Sequence, residues 1–215
     1  MALCYIEKRG DGSELGVWEI TETEEQLTDL CAVGDEAATD LEQFGNEKRR
    51  KERLAVVALL QAMCGKMAQL GHDSHGRPFL QNQTAGLSIA HTRHFAVALM
   101  HPHKKVGVDM ESLARDFSAV AQKALSPEER AYLLSDERER SLQLAIIWSA
   151  KEAIYKFLSI DGVDFSRQIK VSTFKPKLRG RLRVCFFDEN EQEWEYFLQY
   201  KIVENHVLTF IVKDF

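Results

Sequence analysis

The spacing of apolar positions changes several times along the chain, and each change predicts an element. Apolar clusters over residues 3–6 and 17–20 predict an extended start. Apolar residues recurring three and four apart predict helix over 22–31 and again over 36–70. Turn formers crowd 72–78 (HDSHGRP), and the runs that follow, 86–90 and 95–100, read as a β-hairpin. A further strand is expected over 104–111 (KKVGVDME). Ser126-Pro127-Glu128-Glu129 sets a capping hydroxyl before a proline, with a glutamate three residues after the serine, which marks a helix start. A longer helix is expected over 139–159, then three β-rich runs at 182–187, 194–203 and 207–212. Helices combined with an antiparallel meander in each half predict an α+β fold. Four prolines and twelve glycines are dispersed without a linker-like stretch, so any two lobes are tightly joined.

At 215 residues and 45% hydrophobic, the chain lies between one large domain and two small ones and can bury a substantial core. No apolar run approaches the roughly 18 residues of a membrane span, and no apolar segment follows a basic start, so a cytoplasmic protein without membrane association is expected. Cys4, Cys31, Cys64 and Cys185 are scattered and read as ordinary thiols. The net charge of −5 hides a pattern: residues 10–47 hold twelve acids and no Lys or Arg, whereas 48–53 (KRRKER) hold five bases. A second basic region, 167–183, includes Lys170, Lys175, Lys177, Arg179 and Arg181. Interleaved aromatics, zinc-finger spacing and RNP-like motifs are missing, so small phosphorylated ligands fit the basic islands better than nucleic acid.

Asp109 and Glu111 are two apart, which on a strand aims both carboxylates at one face. Leu144, Trp148, Glu152 and Lys156 form an i, i+4 row, so the Glu152 carboxylate continues an apolar stripe and needs compensation. One reading is a solvated strand face and a plain Glu–Lys helix pair. The other joins Asp109, Glu111 and Glu152 as hard oxygen ligands for Mg²⁺, which takes substrate phosphates as further ligands, with Lys151 and Lys156 flanking them. Paired histidines at 72/75 and 91/94 lack helical metal-site spacing, and Trp18, Trp148 and Trp194 are read as packing residues. The serine-hydrolase elbow and the glycine-rich phosphate loop are both lacking.

The segments Gly107-Val108-Asp109-Met110-Glu111 and Trp148-Ser149-Ala150-Lys151-Glu152-Ala153-Ile154-Tyr155-Lys156 resemble the two signature motifs of the 4′-phosphopantetheinyl transferase superfamily, G-x-D-x-E and W-x-x-K-E-[AS]-x-x-K, with 36 residues between them. Gly76-Arg77-Pro78 is similar to the family's G-[KR]-P turn, Ser88-Ile89-Ala90-His91 to its S/N-x-S-H segment, and Leu125-Ser126-Pro127-Glu128-Glu129 to its F-S-x-x-E segment. The likeness is with the larger type. It implies two similar α/β lobes with antiparallel sheets related by a pseudo-twofold axis, an N-terminal lobe over 1–102 and a C-terminal lobe over 103–215, with coenzyme A between them. It implies that Asp109, Glu111 and Glu152 hold Mg²⁺, that Lys151, Lys156 and His91 contact phosphate oxygens, and that Ser88 belongs to the nucleotide-binding set. Arg77 and Pro78 would line the adenine pocket, and one or more of Arg49, Arg50 and Arg53 would meet the 3′-phosphate.

Two departures stand out: Ala90 where the family commonly has Ser, and Val57 where many members have Arg. The implied reaction is attack of a serine hydroxyl of an apo acyl or peptidyl carrier protein on the β-phosphorus of coenzyme A, releasing adenosine 3′,5′-bisphosphate. Glu152, or a metal-bound water, would take the serine proton, and Lys151 and Lys156 would stabilise the charge gathering on the leaving adenosine 3′,5′-bisphosphate. Glu129 is open between a capping role and one beside the metal. Since carriers of this kind are typically acidic helical domains, the basic stretch 167–183 is either a steering surface or a solvated loop. Fusion of two lobes favours a monomer. A catalytically impaired homologue that binds coenzyme A or the carrier alone is the alternative.

Overall fold

Leu3–Lys8 (β1) and Glu14–Glu19 (β2) form an antiparallel pair that continues into Phe95–His101 (β6) and Gly86–His91 (β5), giving a four-stranded sheet of order β1-β2-β6-β5. The computed structural model describes residues 2–31, 45–65, 69–81 and 86–214. Helices Glu24–Cys31 (α1) and Glu47–Cys64 (α2) pack against each other, and α2 also packs on β2 and β6. Trp18, Leu27, Leu54, Leu59, Leu80, Ala96 and Ala98 form the core of this unit. Leu70–His72 (β3) and Pro78–Leu80 (β4) make a separate two-stranded ribbon.

The second sheet has the order β7-β11-β10-β9-β8, from Lys105–Ser112 (β7), Ile169–Val171 (β8), Arg179–Phe187 (β9), Glu193–Val203 (β10) and His206–Lys213 (β11). Short helices Ser118–Ala124 (α3), Pro127–Ala131 (α4) and Phe165–Gln168 (α6) surround the 22-residue helix Glu137–Leu158 (α5). The Asp136 carboxylate caps α5, and Ser159 closes it with a left-handed φ of 58°. Helix α5 packs chiefly across β11, where Ile147, Ile154 and Phe157 join Leu182, Val184, Leu198, Val207 and Ile211 in one core. The described residues divide into two compact units, one running to Lys105 with Asp214 added and the other Val106–Lys213. Each combines helices with an antiparallel sheet. No helix of the described residues is long and apolar enough to cross a membrane.

Several element boundaries differ from expectation for local reasons. Of the helix expected over 36–70, residues 36–44 and 66–68 lie outside the described residues; α2 ends at Cys64 because Gly65 turns to φ 92°. The 72–78 turn is the loop of the β3–β4 ribbon, held by the Asp73 carboxylate, which accepts from the His75 and Arg77 amides at 2.8 and 2.9 Å. Helices α3 and α6 and strand β8 carry too few residues for a hydrophobic period to register.

Gly107 governs how the second unit closes. A Cβ at this position would lie 2.2 Å from the Ala153 carbonyl oxygen and 2.7 Å from Phe157 Cβ, so β7 approaches α5 backbone to backbone. The strand's period of two then turns Gly107, Asp109 and Glu111 toward α5, while Val106, Val108 and Met110 are buried on the other face. Because the nearest obstacle is a helix carbonyl, it cannot swing aside as a side chain would. Gly107→Ala is therefore expected to lower stability by about 1–3 kcal/mol or more, measured as a fall in the urea midpoint at unchanged slope.

Candidate active site

Strand β7 and helix α5 meet through the residues of their motifs. Gly107 meets Ala153 and Phe157, Asp109 meets Lys156, and Glu111 meets Trp148. The Lys156 ammonium donates to Asp109 Oδ1 at 2.9 Å, and Trp148 Nε1 donates to Glu111 Oε1 at 2.7 Å. Arg115 donates to the same Glu111 oxygen at 2.8 Å and lies over the Trp148 and Phe117 rings. Sequence reasoning missed Arg115; its only signal was a base four residues after Glu111.

Three carboxylates thus share one strand–helix contact with too little positive charge. Burial is the main cause that pushes the Glu152 carboxyl up to about 7, helped by the negative charges of Asp109 and Glu111 and opposed by Lys156. Burial likewise raises Glu111, with Asp109 adding to it and Arg115 and Trp148 working against it. Asp109 is 5% exposed, and its Oδ2 is buried without a hydrogen-bond partner. An orphaned carboxylate oxygen of this kind costs on the order of 1–3 kcal/mol or more. Among the described residues no three His, Cys, Asp or Glu side chains are gathered in a metal-holding group. Asp109 is drawn to Lys156, and Glu111 to Arg115 and Trp148. The donor set nevertheless suits a hard divalent cation: three oxygen ligands in mutual repulsion, one of them with an oxygen that nothing satisfies.

Lys151 departs from expectation. It was expected to contact phosphate oxygens, but its side chain is fully buried and points away from solvent. Its ammonium donates to the carbonyls of Ala124, Phe165 and Ile169 and to Glu129 Oε2 at 2.7 Å, so three protons serve four acceptors. None remains for a phosphate. Glu129 in turn accepts from the Ser126 and Val171 amides, each at 2.8 Å, while the Ser126 hydroxyl accepts from the Glu129 amide. Glu129 therefore caps α4 and neutralises Lys151 together. Burial pulls the Lys151 ammonium below the usual lysine range, against the opposing pull of Glu129.

In the first unit the expected nucleotide residues are separated by their partners. Arg50 is held by both Glu24 oxygens at 2.6 and 3.0 Å. Arg53 lies 3.3 Å from His72, and Arg49 is exposed. Ser88 is buried within β5, so in that segment it is His91 that offers a group to solvent, with its Nδ1 3.4 Å from the Glu52 carboxylate. Ala90 is buried in the same strand, and Val57 packs on the core. Gly76 holds φ 76° in the turn presenting Arg77 and Pro78. A cleft of about 460 Å³, missed by the sequence reading, is lined by Lys48, Lys51, Glu52, Arg93 and His94 among others. Neither Lys51 nor Arg93 has a carboxylate partner among the described residues.

The sequence model of the 4′-phosphopantetheinyl transferase superfamily matches residues 105–211, which span β7 through most of β11 and carry both signature motifs. Through this segment the chain belongs to that superfamily, whose chemistry is transfer of phosphopantetheine from coenzyme A. No curated protein matches the chain.

Two outcomes follow. The folded protein holds the Glu152 proton more tightly than the unfolded chain, whose carboxyl titrates near 4.5. Stability is therefore lost as pH rises from that value through about 7. With chelator present, Glu152→Gln is expected to stabilise by about 1–3 kcal/mol at pH 8 and to change little at pH 4, read from urea melts at both pH values. Lys151→Met leaves Glu129 charged and unpaired in the interior, so a loss of about 3–5 kcal/mol is expected. The double variant with Glu129→Gln should recover part of that loss in the same melts.

Proposed function

We propose that this protein transfers the 4′-phosphopantetheine arm of coenzyme A to a serine hydroxyl of an apo acyl or peptidyl carrier protein in a Mg²⁺-dependent reaction that releases adenosine 3′,5′-bisphosphate. The observation that carries this reading is the strand–helix contact at which Asp109, Glu111, Glu152 and Lys156 converge, inside the segment that matches the superfamily. Asp109, Glu111 and Glu152 would hold the ion, which supplies charge neutralisation and polarisation of the phosphoryl oxygens when bound.

The chain's own residues do the rest. Lys156 is 30% exposed and can turn its remaining protons to a phosphate oxygen while it keeps Asp109. Glu152 accepts no hydrogen bond from a described residue, and its half-buried carboxylate is suited to take the serine proton, a step usually worth about 10²–10⁴-fold. Trp148 and Arg115 hold Glu111 in place. In the first unit, His91 meets phosphate oxygens and Arg77 and Pro78 line the adenine. With Arg50 committed to Glu24, the cations of the cleft, Lys51 and Arg93, receive the 3′-phosphate alongside Arg49 and Arg53.

The test is to incubate the protein with coenzyme A, Mg²⁺ and an apo acyl carrier protein and to weigh the carrier by mass spectrometry. The expected product is a carrier heavier by one phosphopantetheine. Chelator should abolish the gain, and Glu152→Gln should slow it by about 10²-fold or more. A wild-type protein that leaves the carrier mass unchanged would refute the reading.

A further inference from the structure

Two hydroxyls converge on the place where Asp109 keeps its orphaned oxygen. Ser149 and Thr209 are fully buried, and neither side-chain oxygen has a hydrogen-bond partner among the described residues. Ser149 stands one turn before Ala153 on α5, in the row that continues to Phe157, and both of those residues lie against Gly107. It therefore faces β7, between the Gly107 contact and the bond from Trp148 to Glu111, at the level of Asp109. Thr209 comes from the neighbouring strand, since β7 and β11 are adjacent in the sheet. At one end the Leu113 amide donates to the Asn205 carbonyl at 2.9 Å, and at the other Lys104 pairs with Asp214 at 3.2 Å, so the two strands are antiparallel. Asp109 is four residues from Leu113 and Thr209 four from Asn205, which sets them opposite each other. Val207 and Ile211, two residues to either side of Thr209, belong to the α5 core, so Thr209 shares that face with Asp109. Opposed residues of such a pair have Cβ atoms about 4.5–5.5 Å apart, close enough for a hydroxyl to reach a carboxylate after a turn about χ1.

We propose that Thr209 and Ser149 are positioning residues that donate their hydroxyl protons to Asp109 Oδ2 and so fix this carboxylate for the divalent ion, a role that rests on the transferase reading above. Three polar atoms without partners come together from β7, β11 and α5. Valine and alanine would fill the two hydroxyl positions without burying a polar group, so the hydroxyls need a reason to be there. One arrangement satisfies all three atoms at once, because a carboxylate oxygen accepts two hydrogen bonds and each hydroxyl supplies one. Lys156 already holds Oδ1, so the hydroxyls complete the grip and leave Asp109 a single orientation. Three of the carboxylate's roughly four acceptor sites are then used, and one remains for the ion. A ligand held in this way needs no reordering when the ion arrives, and loss of such an outer partner weakens metal binding about 10–100-fold.

Titration of the whole chain with Mn²⁺, followed by the paramagnetic resonance of the free ion, tests the inference. Thr209→Val and Ser149→Ala are each expected to raise the Kd for Mn²⁺ about tenfold or more, and Thr209→Ser to return it to within about threefold of wild type. Urea melts with chelator add a readout that does not involve the ion. There Thr209→Val should lower the midpoint, and in an Asp109→Ala background it should not, because the acceptor is gone. Variants that bind Mn²⁺ like wild type overturn the positioning role. So does a weakening that Thr209→Ser fails to reverse, or a fall in midpoint that persists without the Asp109 carboxylate. A wild-type protein that binds no Mn²⁺ would instead overturn the Mg²⁺-dependent reading, and this inference with it.

Discussion

The close approach of β7 to α5 at Gly107 is the constraint on which the second unit depends. Any side chain there would meet a helix carbonyl, so glycine lets strand and helix lie near enough for the next two outward residues to reach α5. Asp109 and Glu111 are about 6.7 Å apart along the strand, whereas their partners Lys156 and Trp148 are two turns, about 12 Å, apart along the helix, so the long side chains span the difference. Glu152 falls between these two partners on the helix. Charge then accumulates at the contact, because among the described residues three acids are opposed there by Lys156 and Arg115.

A second device fixes how α5 is rotated about its axis. The Lys151 ammonium is buried among three carbonyls and the Glu129 carboxylate, which tie α5 to the end of α3, to α4, to α6 and to β8. Such a pair is weak support for net stability, since desolvation offsets much of its attraction, but it penalises any other setting of the helix strongly. With Lys151 turned inward, its neighbour Glu152 lies about 100° further around the helix, toward β7. The lysine and glutamate that stand side by side in the motif thus work on different faces of the helix.

The two units differ in how their charges are satisfied. In the second, hydrogen bonds between acids and bases leave Asp109 Oδ2 and Glu152 without a donor among the described residues. In the first, Arg50 is consumed by Glu24, while Lys51 and Arg93 in the cleft have no carboxylate partner among the described residues. Adjacent members of one basic run therefore have different fates, according to what stands opposite each.

Local chemistry was readable from residue order alone. The Ser126 capping box, the strand holding Asp109 and Glu111 on one face, and the long helix whose Trp148, Glu152 and Lys156 form one row all depend on neighbours within a turn or a pleat. Short elements such as α3, α6 and β8 escaped notice because their few residues carry no period. So did the fate of each cation. Lys151 and Lys156 are both lysines on one motif, yet one is sealed among backbone carbonyls and the other reaches Asp109. Which side of a helix becomes interior depends on what packs against it from distant parts of the chain, and no spacing within the helix encodes that.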